Sequence, residues 1–405
     1  MTKIIVLGGS GVVGRIATKT LTSFPDFSQV VIGDIDSENA SEITKEIGSS
    51  KVSIREIDAS DPKALRDVIK DFDVVLNCIG PFYKYGPLIL RSAIETGRNY
   101  IDINDDVDAT KEVLTMDDEA KKTNIIALIG MGSSPGVTNL LAKFAADHLL
   151  DKVDSIDLYH AHGGEPVEGR GVIYHRIHSM SIDIPIFVDG KFENVHFFND
   201  DGKALEEEIE FLKLGKYRVH PYPHPEIITL PNYIKGVQRV TNKGTVLPPE
   251  YFNLITDIVK LGLTADHPLE VKGKIISPLE FSISYLINQR QRILKETNFG
   301  LQRGCIKIVV KGEKAGKTHH YIFSLASEGQ AMGEGTGIPV AIGAVLMSRG
   351  KITKKGVLPP EACIDPLDFL TIMKEHLGLE AVSGKNSPLI IESIDEEGKI
   401  EIISL

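Results

Sequence analysis

Positive charge, cysteine and long apolar runs are all scarce in this sequence. Lys and Arg number 45 against 56 Asp and Glu, a formal charge of −11. Nucleic acids and anionic bilayers are bound through cationic faces, so this balance argues against either as the main partner. Three cysteines, Cys78, Cys305 and Cys363, are too few and too scattered for a disulfide framework or a cysteine-rich zinc site. No uninterrupted apolar run reaches the roughly 18 residues of a membrane span. A strand pattern begins at Lys3, which leaves no room for a signal peptide. The expectation is a soluble, cytoplasmic protein that binds neither nucleic acid nor membrane.

Apolar residues make up 42% of the chain and charged residues 25%, which excludes a disordered or fibrous chain. At roughly 100–200 residues per domain, 405 residues predict two or three domains. Ile4-Ile5-Val6-Leu7 is a continuous apolar run of the kind expected for a parallel strand buried on both faces. Val30-Val31-Ile32, Val52 to Asp58, Asp73 to Gly80, Asn99 to Ile103 and Asn124 to Gly130 continue the series. Helical stretches separate them, among them Arg15 to Ser23, Pro62 to Lys70, Pro87 to Glu95 and Asp108 to Lys122. Strands alternating with helices imply right-handed crossovers and a doubly wound parallel sheet of the Rossmann type over residues 1–130.

The texture then changes. Ile156 to His160, Val172 to Ile177, Ile184 to Val188 and Ile227 to Leu230 read as strands, with helices near Tyr251 to Leu261 and Leu279 to Lys295. Two hairpins are expected, one around Gly312–Gly316 and one around Asp395–Gly398. The reading is therefore α/β: an N-terminal Rossmann sheet, then a second α+β domain with a largely antiparallel sheet over 131–335. Helices and a hairpin over 336–405 complete the chain.

Gly9-x-Gly11-x-x-Gly14 follows the first strand and opens a helix, the context in which this spacing binds a dinucleotide. The pyrophosphate then rests on the helix N-terminus, whose free N–H groups and dipole favour an anion. Asp34 closes the second strand, about 20 residues beyond Gly14, where a carboxylate accepts from the adenosine ribose. The alternative role for Asp34 is to cap the following turn. Asp36 adds a second carboxylate, and neither neighbour of Asp34, Gly33 or Ile35, is a cation. A 2′-phosphate about 4 Å away at an effective dielectric of 20 would be repelled by roughly 4 kcal/mol per charge pair. NAD is expected over NADP, with NADP left possible through Arg15 or Lys19. Ser10, Val12, Val13, Ile35, Asp58, Cys78, Ile79 and Gly80 complete the expected dinucleotide contacts.

Two other classes of dinucleotide enzyme are disfavoured by what is missing. None of the eleven tyrosines is followed by Lys at the fourth position, as short-chain dehydrogenases require. Neither Cys305 nor Cys363 lies in the polar motif of a semialdehyde dehydrogenase nucleophile, and Cys78 reads as a small packing residue.

Six segments resemble the saccharopine dehydrogenase family: 77–86 (NCIGPFYKYG), 99–106 (NYIDINDD), 132–139 (GSSPGVTN), 163–166 (GGEP), 335–339 (GTGIP) and 354–361 (KKGVLPPE). They stand in the family's order over nearly the whole chain. The resemblance implies hydride transfer at a C–N centre of an amino acid or amine, a second domain that holds substrate and usually the dimer contact, and C-terminal helices that return to the first domain. It implies no metal. His160-x-His162 on a strand would be a possible metal pair, but no third ligand follows at a recognisable spacing.

Within that frame Tyr83 and Lys84, after the fourth strand, are candidates to touch nicotinamide or substrate, although Pro-Phe-Tyr would equally pack the loop. Asp102 ends the fifth strand, with Asp105 and Asp106 just beyond, and three carboxylates there suit a cationic amine or a solvated loop. Some family members carry an acid where this chain has Ser134, and serine needs a partner to move protons; this counts against a saccharopine-reductase mechanism. Asn139 is a further substrate or nucleotide candidate. On a strand, Tyr174, Arg176 and His178 would share one face, which makes Arg176 the candidate for a substrate carboxylate, with His178 beside it. A rim salt bridge is the bland alternative for Arg176.

The leading expectation is an NAD-dependent oxidoreductase most like lysine 6-dehydrogenase, acting as a homodimer. The rival is an NADP-dependent reductive condensation of the saccharopine or carboxynorspermidine type. A non-catalytic NAD-sensing protein is the third.

Overall fold

The computed structural model describes residues 1–165, 168–329, 331–384 and 387–405. Six strands open the chain: β1 (Thr2–Leu7), β2 (Phe27–Asp34), β3 (Val52–Glu56), β4 (Val74–Asn77), β5 (Asn99–Asp102) and β6 (Ile126–Leu128). Between them run α1 (Val12–Ser23), α2 (Ser37–Ile47), α3 (Pro62–Ile69), α4 (Phe82–Thr96), α5 (Val107–Leu114) and α6 (Asp117–Lys122). Local chemistry sets several of these starts. Asp36 accepts the N–H of Asn39 ahead of α2, and Asp61 accepts those of Lys63 and Ala64 ahead of α3, where Pro62 has its φ preset. Gly11 ahead of α1 has no side chain to cap with, which leaves the first-turn N–H groups for an anion.

β1 lies between β2 and β4, with β3 beyond β2 and β5 and β6 beyond β4, and all these pairs are parallel. The chain switches direction across the sheet between β1 and β4, the place where open α/β sheets bind ligands at their carboxyl ends. Both faces of β1 are covered. Ile4 and Val6 pack with Ala17 and Leu21, while Ile5 and Leu7 pack with Leu65 and Ile89, all at 0% exposure. That two-sided burial is why the strand is continuously apolar rather than alternating.

α7 (Val137–Phe144) runs through a π turn at Ala145–Leu149 into the long β7 (Lys152–Gly163). There follow α8 (Arg170–Ser179), β8 (Ile184–Val188), β9 (Lys191–Val195), the short α9 (Asp200–Lys203), β10 (Glu207–Phe211) and β11 (Gly215–Pro221). Then come α10 (Glu226–Tyr233), β12 (Arg239–Leu247), α11 (Pro249–Lys260), β13 (Leu269–Val271), β14 (Lys274–Ile276), α12 (Pro278–Glu296), β15 (Arg303–Lys314) and β16 (Lys317–Glu328). The chain closes with α13 (Ala331–Ser348), β17 (Gly356–Leu358), α14 (Pro360–Cys363), α15 (Pro366–Leu377), β18 (Leu389–Ile394) and β19 (Ile400–Ile403). The second sheet has the order β10-β11-β12-β7-β15-β16-β18-β19, with β8 and β9 attached at β12. Its pairs are antiparallel except β7 with β12. The last segment serves both sheets: β17 joins β6 in the first, and β18 joins β16 in the second. α13 crosses α1 so closely that a Cβ on Gly337 would sit 2.9 Å from the Ile16 Cβ.

Three local expectations are corrected. Residues 172–177 form part of α8 rather than a strand, and Ile227–Leu230 belong to α10. Short apolar runs do not distinguish strand from helix. In α8 the deciding pattern is Ile173, Ile177 and Met180, spaced i, i+4, i+7, all buried in one core cluster. Along α10 and its C-cap, Ile227, Leu230 and Ile234, spaced i, i+3, i+7, are buried against the main core. The third correction is α4, which begins at Phe82, so the residues read as a loop after β4 are its first turn and Pro87 lies inside it.

Candidate active site

A cleft of about 880 Å³ runs from the glycine loop, across the carboxyl ends of β1, β2 and β4, to the inner faces of β7 and α8. The first wall is built by the close approach of α1 to β1. A Cβ at Gly14 would lie 2.1 Å from the Gly8 carbonyl oxygen, so only glycine lets the helix begin there. Ser10, Gly11, Val12, Val13 and Gly14 line the cleft, as do Asp34, Ile35, Asp58, Cys78, Ile79 and Gly80. Gly9 lies beneath the loop, where its Cβ would meet the Val6 oxygen at 2.9 Å, and Gly8 takes its place on the surface of the cleft.

Asp34 does two things at once. Its Oδ2 accepts the backbone N–H of Ser10 at 3.1 Å and the Ser10 hydroxyl at 2.5 Å, while its Oδ1 accepts the Asp36 N–H at 3.1 Å. The turn-capping role and the cleft-facing role coexist, and the carboxylate is pinned where a ribose would lie. Asp58 is fixed in the same way by the N–H and hydroxyl of Ser60 at 2.8 and 2.6 Å, which hold its carboxyl below the usual range. Among the described residues lining this end, Asp34, Asp36 and Asp58 are charged and all are acids. The glycine cradle, the open α1 terminus and the anchored acid fit a dinucleotide. Burial pushes the Cys78 thiol well up, so it stays protonated and packs.

The three expected catalytic residues do not reach the cleft. Asp102 is fully buried; its Oδ1 accepts the N–H groups of Gly130 (2.7 Å) and Asn104 (3.0 Å), and its Oδ2 the Tyr100 hydroxyl (2.9 Å). It ties the ends of β5 and β6 together, and burial raises its pKa to about 6. Tyr83 turns away to stack on His178 at 4.0 Å, and burial with Asp106 nearby pushes its phenol to about 12. Lys84 is exposed and lies over the Tyr85 ring. Because this stretch is helical, Phe82 and Tyr85, three apart, face the cleft instead.

Of the expected substrate residues, Ser134 and Arg176 line the cleft and Asn139 and His178 do not. Asn139 is buried, accepting the Gly136 N–H at 2.9 Å and donating to Glu361 at 2.9 Å. His178 pairs with Asp108 at 2.7 Å outside the cleft. Ser134 has the partner that its sequence context lacks. Its hydroxyl donates to Glu226 Oε1 at 2.6 Å, and His224 Nδ1 lies 3.1 Å from the other oxygen of Glu226. Burial works against the Glu226 charge, but His224 and Ser134 hold the carboxyl low.

Arg176 is no rim salt bridge. At 2% exposure it donates to Glu168 Oε1 at 2.7 Å, and the Tyr251 hydroxyl donates to Glu168 Oε2 at 2.6 Å. Arg290 joins behind, 3.5 Å from Glu168 and 3.0 Å from Glu165. Burial raises the Glu168 carboxyl, but the two guanidinium groups outweigh it and keep the group ionised. Glu165 is brought to about 2 in the same way, burial being overcome by His162 and then Arg290. The expected motif at 163–166 ends on Pro166, outside the described residues.

The main addition to the expected site is His175, one turn along α8 from Gly171. It lines the cleft with its Nδ1 2.6 Å from Asp106 Oδ1 and its Nε2 3.6 Å from Asp105 Oδ2. Ligand atoms of Asp105, Asp106 and His175 lie within 4.8 Å of one another, a spacing that a metal ion can bridge. The 2.6 Å contact is a short hydrogen bond, the distance that an ion-paired imidazole gives. Helical spacing was the available signal: Val172, His175 and Arg176 all line the cleft at i, i+3, i+4.

The sequence profile described as saccharopine dehydrogenase NADP binding domain matches residues 4–128, and the saccharopine dehydrogenase C-terminal domain profile matches residues 132–379. Carboxyaminopropylagmatine dehydrogenase of Synechocystis sp. is 25% identical over 95% of this chain and 98% of its own length. Carboxynorspermidine synthase of Vibrio cholerae is 25% identical over 91% of this chain and 94% of its own. Apo saccharopine dehydrogenase (L-Glu forming) from Saccharomyces cerevisiae superposes with a TM-score of 0.66 at 21% identity, covering 93% of this chain and 98% of that one. At that identity the superposition speaks to the fold. No described helix is long and apolar enough to cross a membrane.

Proposed function

The chain belongs to the saccharopine dehydrogenase family, and on that premise we propose that it is an NAD-dependent oxidoreductase acting on the C–N bond of an amine that carries a carboxylate. The observation that carries this reading is the continuity of the cleft. One space joins the glycine loop and Asp34 to Asp105, His175 and Arg176, so a dinucleotide at one end abuts acid and guanidinium groups at the other. The acids suit a substrate ammonium and Arg176 a carboxylate. A bound nicotinamide supplies the hydride donor or acceptor.

Two relatives are named for carboxylated polyamines, which supports a polyamine chain bearing a carboxyl over free lysine as substrate, and so the condensing direction. Lysine metabolism remains the second reading, supported by the two family profiles, both named for saccharopine dehydrogenase. The three-carboxylate ribose end supports NAD, although the family profile is described by NADP. In this reading residues 1–130 hold the dinucleotide, 131–335 the substrate and the dimer contact, and 336–405 the return to the first sheet. Ser134 contacts substrate through its Glu226-held hydroxyl. The protein works as a cytoplasmic homodimer, which sedimentation velocity checks.

Absorbance at 340 nm, with NAD or NADP and a panel of lysine, saccharopine, diamines and carboxylated polyamines, tests the assignment. Reduction of NAD by a carboxylated polyamine supports it. Calorimetric NAD binding with no turnover across the panel points to a nucleotide sensor and refutes it.

A further inference from the structure

We propose that His175 is the catalytic residue that moves the proton at the substrate nitrogen, with Asp106 as its positioning residue. This deepens the C–N oxidoreductase reading above and rests on it.

Three observations carry the assignment. The first is place. A Cβ on Gly171 would lie 3.2 Å from the Gly80 carbonyl carbon, so the first turn of α8 touches the backbone just beyond β4, where the nicotinamide of a bound dinucleotide is expected. His175 follows four residues later, about 6 Å along the helix, and faces the same cleft. The second is orientation. Nδ1 donates to Asp106 at 2.6 Å, and Asp106 is itself only 2% exposed and held by the N–H of Tyr83 at 2.9 Å. This fixes the ring and its tautomer, as a carboxylate does for a general acid–base imidazole. The third is the free end. Nε2 has only long contacts among the described residues, 3.6 Å to Asp105 Oδ2 and 3.5 Å to Ser179 Oγ. A proton held there is available for transfer.

The groups facing the ring are Asp105 and Asp106 from the segment after β5, His160 on β7, and Tyr222 and His224 from the segment after β11, with Arg176 beside it on α8. Burial works against the imidazolium, but the two carboxylates outweigh it and raise the pKa above the ordinary range. In the reducing direction the imine nitrogen takes the Nε2 proton and the imine carbon takes the hydride. The C=N π pair becomes the nitrogen lone pair, the substrate is reduced and the dinucleotide oxidised. In the oxidising direction the steps reverse: the amine carbon gives up the hydride, the nitrogen lone pair becomes the C=N π bond, and the iminium N–H gives its proton to neutral Nε2, leaving the imine.

The test uses the full chain with H175N and D106N. With the amine that wild type turns over, H175N is expected to lower kcat by about 10²–10⁴-fold while the calorimetric Kd for the dinucleotide stays within about twofold. D106N is expected to move the His175 limb of the kcat/KM profile to lower pH, the acid limb for amine oxidation and the basic limb for imine reduction. A loss confined to KM, or an H175N kcat within about threefold of wild type, overturns the assignment. A second readout needs no turnover: histidine-selective 15N NMR of wild type, with His175 identified by its displacement in D106N. A neutral ring that carries its proton on Nδ1 supports the assignment, and one that carries it on Nε2 overturns it, whether or not H175N folds. A wild type inert to the whole panel overturns the reaction reading and the transfer step with it, even if the tautomer is the expected one. An activity that requires an added divalent cation overturns the ion-paired imidazole in favour of a metal.

Discussion

Asp34 is where cofactor choice can be separated from loop architecture. Its carboxylate offers about four lone-pair positions, of which three are taken by Ser10 N–H, Ser10 hydroxyl and Asp36 N–H. That leaves about one for an adenosine ribose hydroxyl. A hydrogen bond to a charged acceptor contributes about 1.5–3 kcal/mol, so losing it weakens NAD by about 10- to 150-fold. For NADP the sign differs. A 2′-phosphate about 4 Å from the carboxylate at an effective dielectric of 20 is repelled by about 4 kcal/mol, near 10³-fold, and this penalty disappears with the charge. Because the carboxylate is pinned, it does not swing aside to accommodate the phosphate. Loosening of Ser10 weakens both cofactors alike and cancels in the ratio. D34S and D34A are therefore expected to lower the NAD-over-NADP preference by at least about tenfold, and by as much as about 10⁵-fold if both effects are fully realised. Calorimetric titration of both cofactors reads it. An equal loss of NAD and NADP affinity in both variants would mean that Asp34 acts only by holding the loop, and the ribose argument would be refuted.

Gly14→Ala places a methyl 2.1 Å from the Gly8 oxygen, so α1 must move off β1; dinucleotide affinity is expected to fall more than tenfold and stability by about 1–3 kcal/mol, and a wild-type Kd would refute the close-approach argument. Arg176→Ala strips Glu168 of its 2.7 Å partner in a buried site, at a cost near the lower end of about 3–5 kcal/mol because Arg290 remains. Urea unfolding should then show R176A/E168A more stable than R176A alone, and the opposite order would sink the buried-pair reading. Glu361, pushed up to about 7 by burial and by Glu226, has a folded pKa above the ordinary 4.5 of a glutamate. Its contribution to stability is full below about pH 4.5 and is lost as pH rises through 7, by about 3 kcal/mol. Glu361→Gln should therefore gain on wild type in urea unfolding between pH 5 and pH 8, and a pH-independent difference would contradict the burial argument.

The first half of the site was legible because its signals are local. The two-sided burial of β1 shows as an unbroken apolar run, and the approach of α1 to β1 shows as glycine at 9, 11 and 14 with an acid closing the next strand. Each depends on neighbours a few residues to a few tens of residues away, and backbone sterics leave few other solutions. Asp102 misled because its position at a strand end is right for catalysis while its three donors, Tyr100, Asn104 and Gly130, turn it inward. Tyr83 and Lys84 misled because α4 starts one turn earlier than Pro87 suggests, which rotates Phe82 and Tyr85 into their place. The apolar run in α8 was readable as either periodicity, and its packing against α11 and α12 decided for the helix.

Sequence by itself determined the Rossmann half, the dinucleotide loop and the family, since strand burial, glycine spacing and motif order are written along the chain. Tertiary structure decided the wall of the cleft that faces the glycine loop. His175 finds Asp106 across 69 residues and Ser134 finds Glu226 across 92, so neither pair has a spacing to read. Both pairings exist because the second sheet folds back over the carboxyl edge of the first. That packing removes water from the buried partners and makes each ionised group depend on the one it meets.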